Sequence, residues 1–167
     1  APDTFHARFS CLKKRYTYTV CTGKTRDPLC RRYAWHYPKG ADVSVMAEAA
    51  RHLVGRRDFA ALRSQGTPVK STVRTVYDCS VCRRGDFVTI SVTADGFLYN
   101  MARAVAGTLL YVSAGKLKPE EVPGILSGKD RTEAGPTAPA HGLCLTGLWY
   151  PDFSLTDDWP FRGRPET

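Results

Sequence analysis

The sequence predicts an α+β protein with a mainly antiparallel sheet flanked by helices. Residues 73–83 and 87–94 are rich in β-forming side chains, and the short turn between them contains Gly85, which is typical of a β-hairpin. Stretches with helical periodicity are mixed with the strands, without a regular strand–helix–strand alternation. Length and pattern together predict one domain over residues 1–152 and a poorly ordered tail over 153–167.

The first strand is predicted from an alternating pattern. Residues 15–21 (RYTYTVC) place Tyr16, Tyr18 and Val20 on one face, which indicates a half-buried strand. A basic loop with Gly23 and Pro28 follows. The remaining predicted strands are 33–37 and 142–150.

Three helices are predicted. Asp42 can cap a helix over 43–54, and a short helix is expected over 119–126. The main helix is expected over 97–113, where apolar side chains recur at helical spacing. These are Leu98, Met101, Val105, Leu109 and Val112. The small residues Ala102, Ala106 and Gly107 in that helix would let another element approach closely.

Charge indicates a polyanionic partner. The chain has 24 Lys and Arg residues against 16 Asp and Glu, a net charge of +8. This balance favours nucleic acid, because Lys and Arg displace condensed counterions from phosphates. A basic protein that binds no nucleic acid is the alternative. The sequence holds no apolar run long enough to span a bilayer and no signal-peptide pattern, so we expect a cytoplasmic protein without a membrane partner.

The sequence predicts neither a metal site nor a cofactor. Its six cysteines are scattered, which is unlike a disulfide scaffold, and we expect reduced thiols. Cys79 and Cys82 form a CxxC, but residues three apart in a strand point to opposite faces, and no second ligand pair completes a zinc site. The GKT at residues 23–25 lacks the upstream glycine of a phosphate-binding loop.

Three segments carry a family resemblance. They are FHARFSCLKKRY at 5–16, GFLYNMARAVAG at 96–107, and KDRT at 129–132 followed by AP and GLCL at 138–145. In this order and spacing they resemble the A-type tRNA pseudouridine synthases, which read FHARFSA…RRYRY, FxxxMVRxxVG and KDR…APxxGLxL. The resemblance covers about residues 4–152. Ala102, Ala104 and Cys144 depart from the family's usual residues, and none of them replaces a charged functional position.

The resemblance implies one half of a pseudouridine synthase fold, and a homodimer for the full-length protein. The family isomerises uridine to pseudouridine in the tRNA anticodon stem-loop, usually at nucleotides 38–40, and it needs no metal or redox cofactor. The target base leaves its stack to reach the site.

The resemblance also implies site residues. Arg103 matches the arginine that pairs with the catalytic aspartate, Tyr16 the active-site tyrosine, and Leu143 an apolar wall of the base pocket. From the residues alone, Arg103 could instead be solvated, and Tyr16 and Leu143 could be core residues. Arg8, Lys13, Lys14 and Arg15 form a basic cluster that we expect to contact phosphates, and a solvated face is the alternative. Further candidates for phosphate contacts are Arg31, Arg32, Arg56 and Arg57.

One family motif is missing. The catalytic aspartate lies in a GRTDxGVH motif upstream of FHARF, and only four residues precede Phe5 here. We therefore expect this chain to be a C-terminal domain that is inactive alone. A non-catalytic RNA-binding module and a dimerisation module are the alternatives, and a GRTD motif upstream in the reading frame would favour the enzyme.

Overall fold

The fold is a seven-stranded sheet with helices on one face. The computed structural model describes residues 5–66, 68–151 and 154–156. Six strands run in the order β3-β4-β5-β1-β6-β7, and β2 pairs in parallel with the end of β1. All other pairings are antiparallel, which confirms the predicted fold class. The strands are β1 Lys13–Cys21, β2 Trp35–His36, β3 Gly55–Asp58, β4 Val73–Arg84, β5 Phe87–Ala94, β6 Leu143–Trp149 and β7 Ser154–Thr156.

Three α-helices complete the domain: α1 Val43–Arg51, α2 Met101–Ser113 and α3 Val122–Gly128. Asp42 caps α1 as predicted, and its carboxylate accepts from the backbone N–H groups of Ser44 and Val45. The helix α1 contacts both β4 and α2. The core lies between this layer and the sheet face that carries Tyr18, Val20 and Ile90, all at most 1% exposed.

Several predicted boundaries are wrong. The helix α1 ends at Arg51 rather than at residue 54, and α3 spans Val122–Gly128 rather than 119–126. The main helix begins at Met101 rather than at Phe97, because Asn100 adopts the left-handed conformation (φ 60°, ψ 9°) and interrupts the helical backbone. Residues 55–58 follow the predicted helix and were assigned to no strand, but they form the edge strand β3 beside β4, since Arg56 and Arg57 give this short exposed strand no apolar alternation to detect. Of the predicted tail 153–167, residues 154–156 pair with β6, and the rest lies outside the described residues.

The sheet face away from the helices carries hydroxyl side chains. Thr17 Oγ1 lies 2.8 Å from Thr146 Oγ1 and 3.1 Å from Ser91 Oγ, so one threonine links three neighbouring strands. Thr17 is 5% exposed. Because these hydroxyls serve each other as donors and acceptors, they can be buried without leaving most of them unpaired.

The segment 134–138 lies directly against α2. A Cβ atom placed on Gly107 would lie 1.7 Å from the carbonyl oxygen of Pro136, so only glycine fits there. The Thr108 hydroxyl accepts a hydrogen bond from the Gly135 N–H (3.1 Å), and the Ala138 N–H donates to the Arg103 carbonyl (3.2 Å). The close approach predicted from the small residues of the main helix is therefore confirmed at Gly107.

None of the helices in the described part of the chain has the length and apolar character that a membrane crossing requires.

We predict that Gly107→Ala destabilises the domain by about 2–3 kcal/mol or more. A methyl group would overlap a backbone oxygen that cannot rotate away, and overpacking of this kind typically costs about 1–3 kcal/mol even where side chains can adjust. Urea denaturation of the chain measures the change in the free energy of unfolding. Gly124→Ala in α3 is the matched control, since a Cβ there meets nothing within 4 Å. The control should be neutral or stabilising by up to about 1 kcal/mol, and equal effects for both variants would contradict the contact.

Candidate active site

A cleft of about 440 Å³ opens between the start of α2, the sheet and the FHARF segment. Its volume is in the range typical of ligand pockets. It brings together three of the residues predicted from the sequence, namely Arg8, Tyr16 and Leu143. The full lining is Arg8, Tyr16, Val69, Arg74, Phe97, Leu98, Tyr99, Asn100, Met101, Ala102 and Leu143.

Tyr16 projects from β1 into this cleft. It pairs with Val92 on one side and Leu145 on the other, and its ring meets the Phe97 ring edge-on, with centroids 4.9 Å apart. The neighbouring Tyr18 takes the core position instead. It is 1% exposed and its hydroxyl donates to the Pro139 carbonyl (2.7 Å). Burial raises the pKa of the Tyr18 hydroxyl, and the positive charge of Arg103 partly offsets this.

Arg103 lies in the first turn of α2, directly after the lining residues 97–102. Its Nε donates to the Ala138 carbonyl (2.6 Å) and its Nη1 to Asn100 Oδ1 (2.9 Å). The side chain is half-buried, so it is not a freely solvated arginine. Among the described residues the one ion pair joins Lys129 to Asp58, and Arg103 therefore has no carboxylate partner there.

The FHARF segment is a compact turn closed by His6. The His6 Nδ1 accepts from the N–H groups of Arg8 (3.1 Å) and Phe9 (3.3 Å), and the Ser10 N–H donates to the His6 carbonyl (2.8 Å). The Arg8 guanidinium lies 5.6 Å from the centroid of the Phe9 ring. The turn therefore fixes the backbone from which Arg8 reaches the cleft.

The predicted basic cluster is divided by the sheet. Lys13 and Arg15 lie over the Trp149 ring, 4.7 Å and 5.1 Å from its centroid, and Arg15 Nε also donates to Thr93 Oγ1 (3.1 Å). This is the face that carries the hydroxyl side chains. Strand alternation places Lys14 with Tyr16 on the opposite face. Arg8 and Lys14 therefore share the cleft side, and Lys13 and Arg15 do not.

The other phosphate-contact candidates are exposed and lie away from the cleft lining. Arg31 and Arg32 lie in the loop between β1 and β2. Arg56 and Arg57 lie on the edge strand β3, three strands from β1, which corresponds to about 14 Å at normal strand spacing.

Among the lining residues that were not singled out from the sequence, Arg74, Phe97 and Asn100 make specific contacts. Arg74 comes from β4, and its guanidinium donates to the carbonyls of Ser71 and Val73. Phe97 packs on Tyr16, and Asn100 holds Arg103. Phe97 and Asn100 lie inside the FxxxM motif, so their position beside Arg103 was a usable signal. No sequence pattern indicated that Arg74 would line the cleft. A bulge between Val76 and Asp78 shifts the register of the β4–β5 hairpin between its turn and Arg74.

The KDR segment supports the site without lining it. Lys129, Asp130 and Arg131 border a separate polar depression. Arg131 also donates to the Gly135 carbonyl (2.8 Å) and to Thr137 Oγ1 (2.9 Å), which orders the segment that lies against α2.

The cysteines of the CxxC lie apart. Cys79 is buried in the core, where burial raises the pKa of its thiol to about 12, and Cys82 is exposed. Their side chains point to opposite sides of β4, as the strand pattern predicts.

Comparison with known proteins assigns the family. A family model described as tRNA pseudouridine synthase matches residues 49–151. The tRNA pseudouridine synthase A of Bacillus subtilis is 46% identical over 150 residues, covering 90% of this chain and 61% of the relative. The enzyme of the same name from Moorella thermoacetica is 45% identical over 150 residues, with 90% and 61% covered. That of Thermoanaerobacter pseudethanolicus is 46% identical over 148 residues, with 89% and 61% covered.

The chain thus spans about 61% of the length of these curated relatives. Of the three segments that line or support the cleft, those at 96–107 and 129–145 fall within the residues that the family model matches, and the one at 5–16 precedes them. On these matches, the chain belongs to the tRNA pseudouridine synthase family.

Proposed function

We propose that this chain is the C-terminal domain of an enzyme that isomerises uridine to pseudouridine in the anticodon stem-loop of tRNA, with the uracil bound in the Tyr16 cleft. The observation that carries the proposal is that Arg103 has unused hydrogen-bond donors and no carboxylate partner among the described residues. A guanidinium has five N–H donors, and here two are used, so three are left for a further acceptor. A half-buried cation with no carboxylate among the described residues fits a site completed by a carboxylate from another segment.

That carboxylate is the aspartate of the GRTD motif that the family resemblance implies. Arg103 would keep it ionised, because a nearby positive charge favours the charged form of an acid. The planar guanidinium would also orient it through paired hydrogen bonds. The aspartate then supplies the nucleophilic or electrostatic step while uracil is detached, turned and rejoined through carbon. No metal or redox cofactor is required for this isomerisation.

Tyr16 and Leu143 form the base-binding part of the cleft. The Tyr16 ring offers a face for stacking on an unstacked uracil, and its hydroxyl can relay a proton. The edge-on contact with Phe97 supports the ring from one side, 4.9 Å between centroids. Leu143 supplies an apolar wall that excludes water from the base.

The cleft side also offers cations for the RNA backbone. Arg8, Lys14 and Arg74 are the candidates, and the net charge of +8 favours association with a polyanion. Such contacts position the RNA and set affinity, but do not read its sequence. For the complete enzyme, a homodimer stays a prediction from the family resemblance, and a cytoplasmic location stays a prediction from the sequence.

We predict that the chain alone binds tRNA but makes no pseudouridine. Among the residues that the structure describes, the cleft lining contains cations and aromatic rings but no carboxylate. Incubation with unmodified tRNA followed by nucleoside analysis measures turnover, and fluorescence anisotropy at several salt concentrations measures binding. Turnover above background by the chain alone would contradict the missing-carboxylate argument. The complete enzyme, which adds the upstream segment, is the positive control.

Arg103→Ala in the complete enzyme should slow the single-turnover rate by about 10²–10⁴-fold. Removing one partner of a buried charge pair costs about 3–5 kcal/mol, and each 1.36 kcal/mol in the transition state is tenfold in rate. The tRNA dissociation constant should stay within about threefold, since phosphate contacts elsewhere remain. Arg103→Lys should not restore the rate, because lysine lacks the planar fork. Arg56→Ala on the edge strand is the control that should keep the parental rate, and a parental rate for Arg103→Ala would refute the assignment.

Tyr16→Phe and Tyr16→Leu should separate stacking from proton transfer. Phenylalanine keeps the ring, so binding should survive and the loss should fall on the single-turnover rate, by about 10²-fold if the hydroxyl relays a proton. Leucine removes ring and hydroxyl together, so it should also weaken capture of the base. Quench-flow rates and tRNA affinities of the two variants give the comparison. Equal defects in both would mean that the ring face has no separate role.

A further inference from the structure

Asn100 has a backbone conformation that its local role does not require. It is one of two described residues other than glycine with a positive φ, at 60°, the other being Lys129. Asn100 occupies the position before the first residue of α2, where asparagine usually accepts hydrogen bonds from the first amides of the helix. No such side-chain cap is present here. The side chain is therefore committed to other partners.

Those partners place Asn100 between Arg103 and Ser64. Its Oδ1 accepts from Arg103 Nη1 (2.9 Å), and its Nδ2 donates to Ser64 Oγ (3.0 Å). Arginine can only donate, so the amide oxygen must be the atom that faces Arg103. The contact with Ser64 is compatible with this orientation, since a hydroxyl can accept from the amide nitrogen.

The guanidinium is thus held from two directions. Ala138 fixes Nε (2.6 Å), and Asn100 fixes Nη1. A single hydrogen bond at Nε would leave the planar guanidinium free to rotate about the axis of that hydrogen bond, and the second one restricts this. The remaining N–H donors are then presented in one orientation.

We propose that Asn100 is a positioning residue that orients Arg103 toward the catalytic carboxylate. This inference rests on the proposed function and adds a residue to it. Preorganised donors stabilise developing charge without reorganising during the reaction, so loss of Asn100 reduces turnover and leaves tRNA affinity intact. The left-handed backbone of Asn100 contributes to this positioning, because strained conformations of this kind persist where the surrounding structure holds a functional side chain.

A purely structural role makes a different prediction. If Asn100 serves only the tight turn before α2, glycine replaces it without loss, since glycine adopts a positive φ at least as readily. Asn100→Gly therefore removes the side chain and keeps the backbone. Asn100→Asp also tolerates this backbone, but places a permanent carboxylate on Arg103 that competes with the catalytic one.

The experiment measures single-turnover rates and tRNA dissociation constants in the complete enzyme. We expect Asn100→Gly to be about 10–100-fold slower with an affinity within about twofold, and Asn100→Asp to be at least as slow. In an Arg103→Ala background, Asn100→Gly should cause no further loss, which a general folding defect would not reproduce. Glu48→Ala, at an exposed position of α1 away from the cleft lining, is the control and should keep the parental rate.

The outcomes are separable. A parental rate for Asn100→Gly, or an undiminished further loss in the Arg103→Ala background, overturns the inference. If Asn100→Gly does not fold, Asn100→Asp decides, because a parental rate with a carboxylate on Arg103 also overturns it. An unmutated complete enzyme that makes no pseudouridine refutes the proposed function instead. In that case, ¹⁵N relaxation of the Arg103 side chain still shows whether Asn100 restrains the guanidinium.

Discussion

The packing of segment 134–138 against α2 is the constraint from which the site geometry follows. At Gly107 the two backbones approach so closely that no side chain fits, and Thr108 and Arg103 add hydrogen bonds on either side of this contact. The position of the segment fixes the Ala138 carbonyl that receives Arg103 Nε, and the adjacent Pro139 carbonyl receives the Tyr18 hydroxyl. The contacts between this segment and α2 thereby determine the direction of the Arg103 guanidinium.

Arg103 belongs to the scaffold and to the proposed chemistry at the same time. Its backbone carbonyl and its Nε bond reciprocally to the N–H and carbonyl of Ala138. Arg131, from the KDR segment, bonds the same stretch of chain through Gly135 and Thr137. Arg131 therefore orders the segment whose Ala138 carbonyl positions Arg103. Motifs of the proposed chemistry and motifs of the scaffold cannot be separated in this part of the chain.

The sequence predicted the sheet, the hairpin and the residues of the cleft better than it predicted their orientation. Tyr16, Arg8 and Leu143, all singled out from the sequence, line one cleft although they lie far apart along the chain. In the sequence analysis, the basic cluster was treated as one surface. Successive side chains of a strand point to opposite faces, so Lys14 lies on the other face from Lys13 and Arg15, and this separation could have been inferred from the sequence. What no pattern revealed were two bulges, at Thr146 in β6 and at Tyr77 in β4, each of which inserts one residue and shifts the pairing register with the neighbouring strand.

The start of α2 was missed for a related reason. Helical periodicity extends back to Leu98, and nothing in the spacing of apolar residues marks the left-handed backbone at Asn100. The Asn100 side chain bonds to Arg103, three residues further on, and to Ser64, 36 residues away, and the second partner is not visible in a local pattern. Sequence reasoning thus failed at the residue that links the helix to the site.

The interrupted start of α2 has an electrostatic consequence. The first turn carries no acidic residue and no side-chain cap, so the partial positive charge of the helix dipole is not neutralised there. The lining residues Met101 and Ala102 belong to this turn, which means that the dipole points its positive end at the cleft. Together with the charges of Arg8 and Arg74, the dipole makes the electrostatic potential in the cleft favourable for anions, even without a bound substrate. A carboxylate or a phosphate entering the cleft meets a potential that the fold itself maintains.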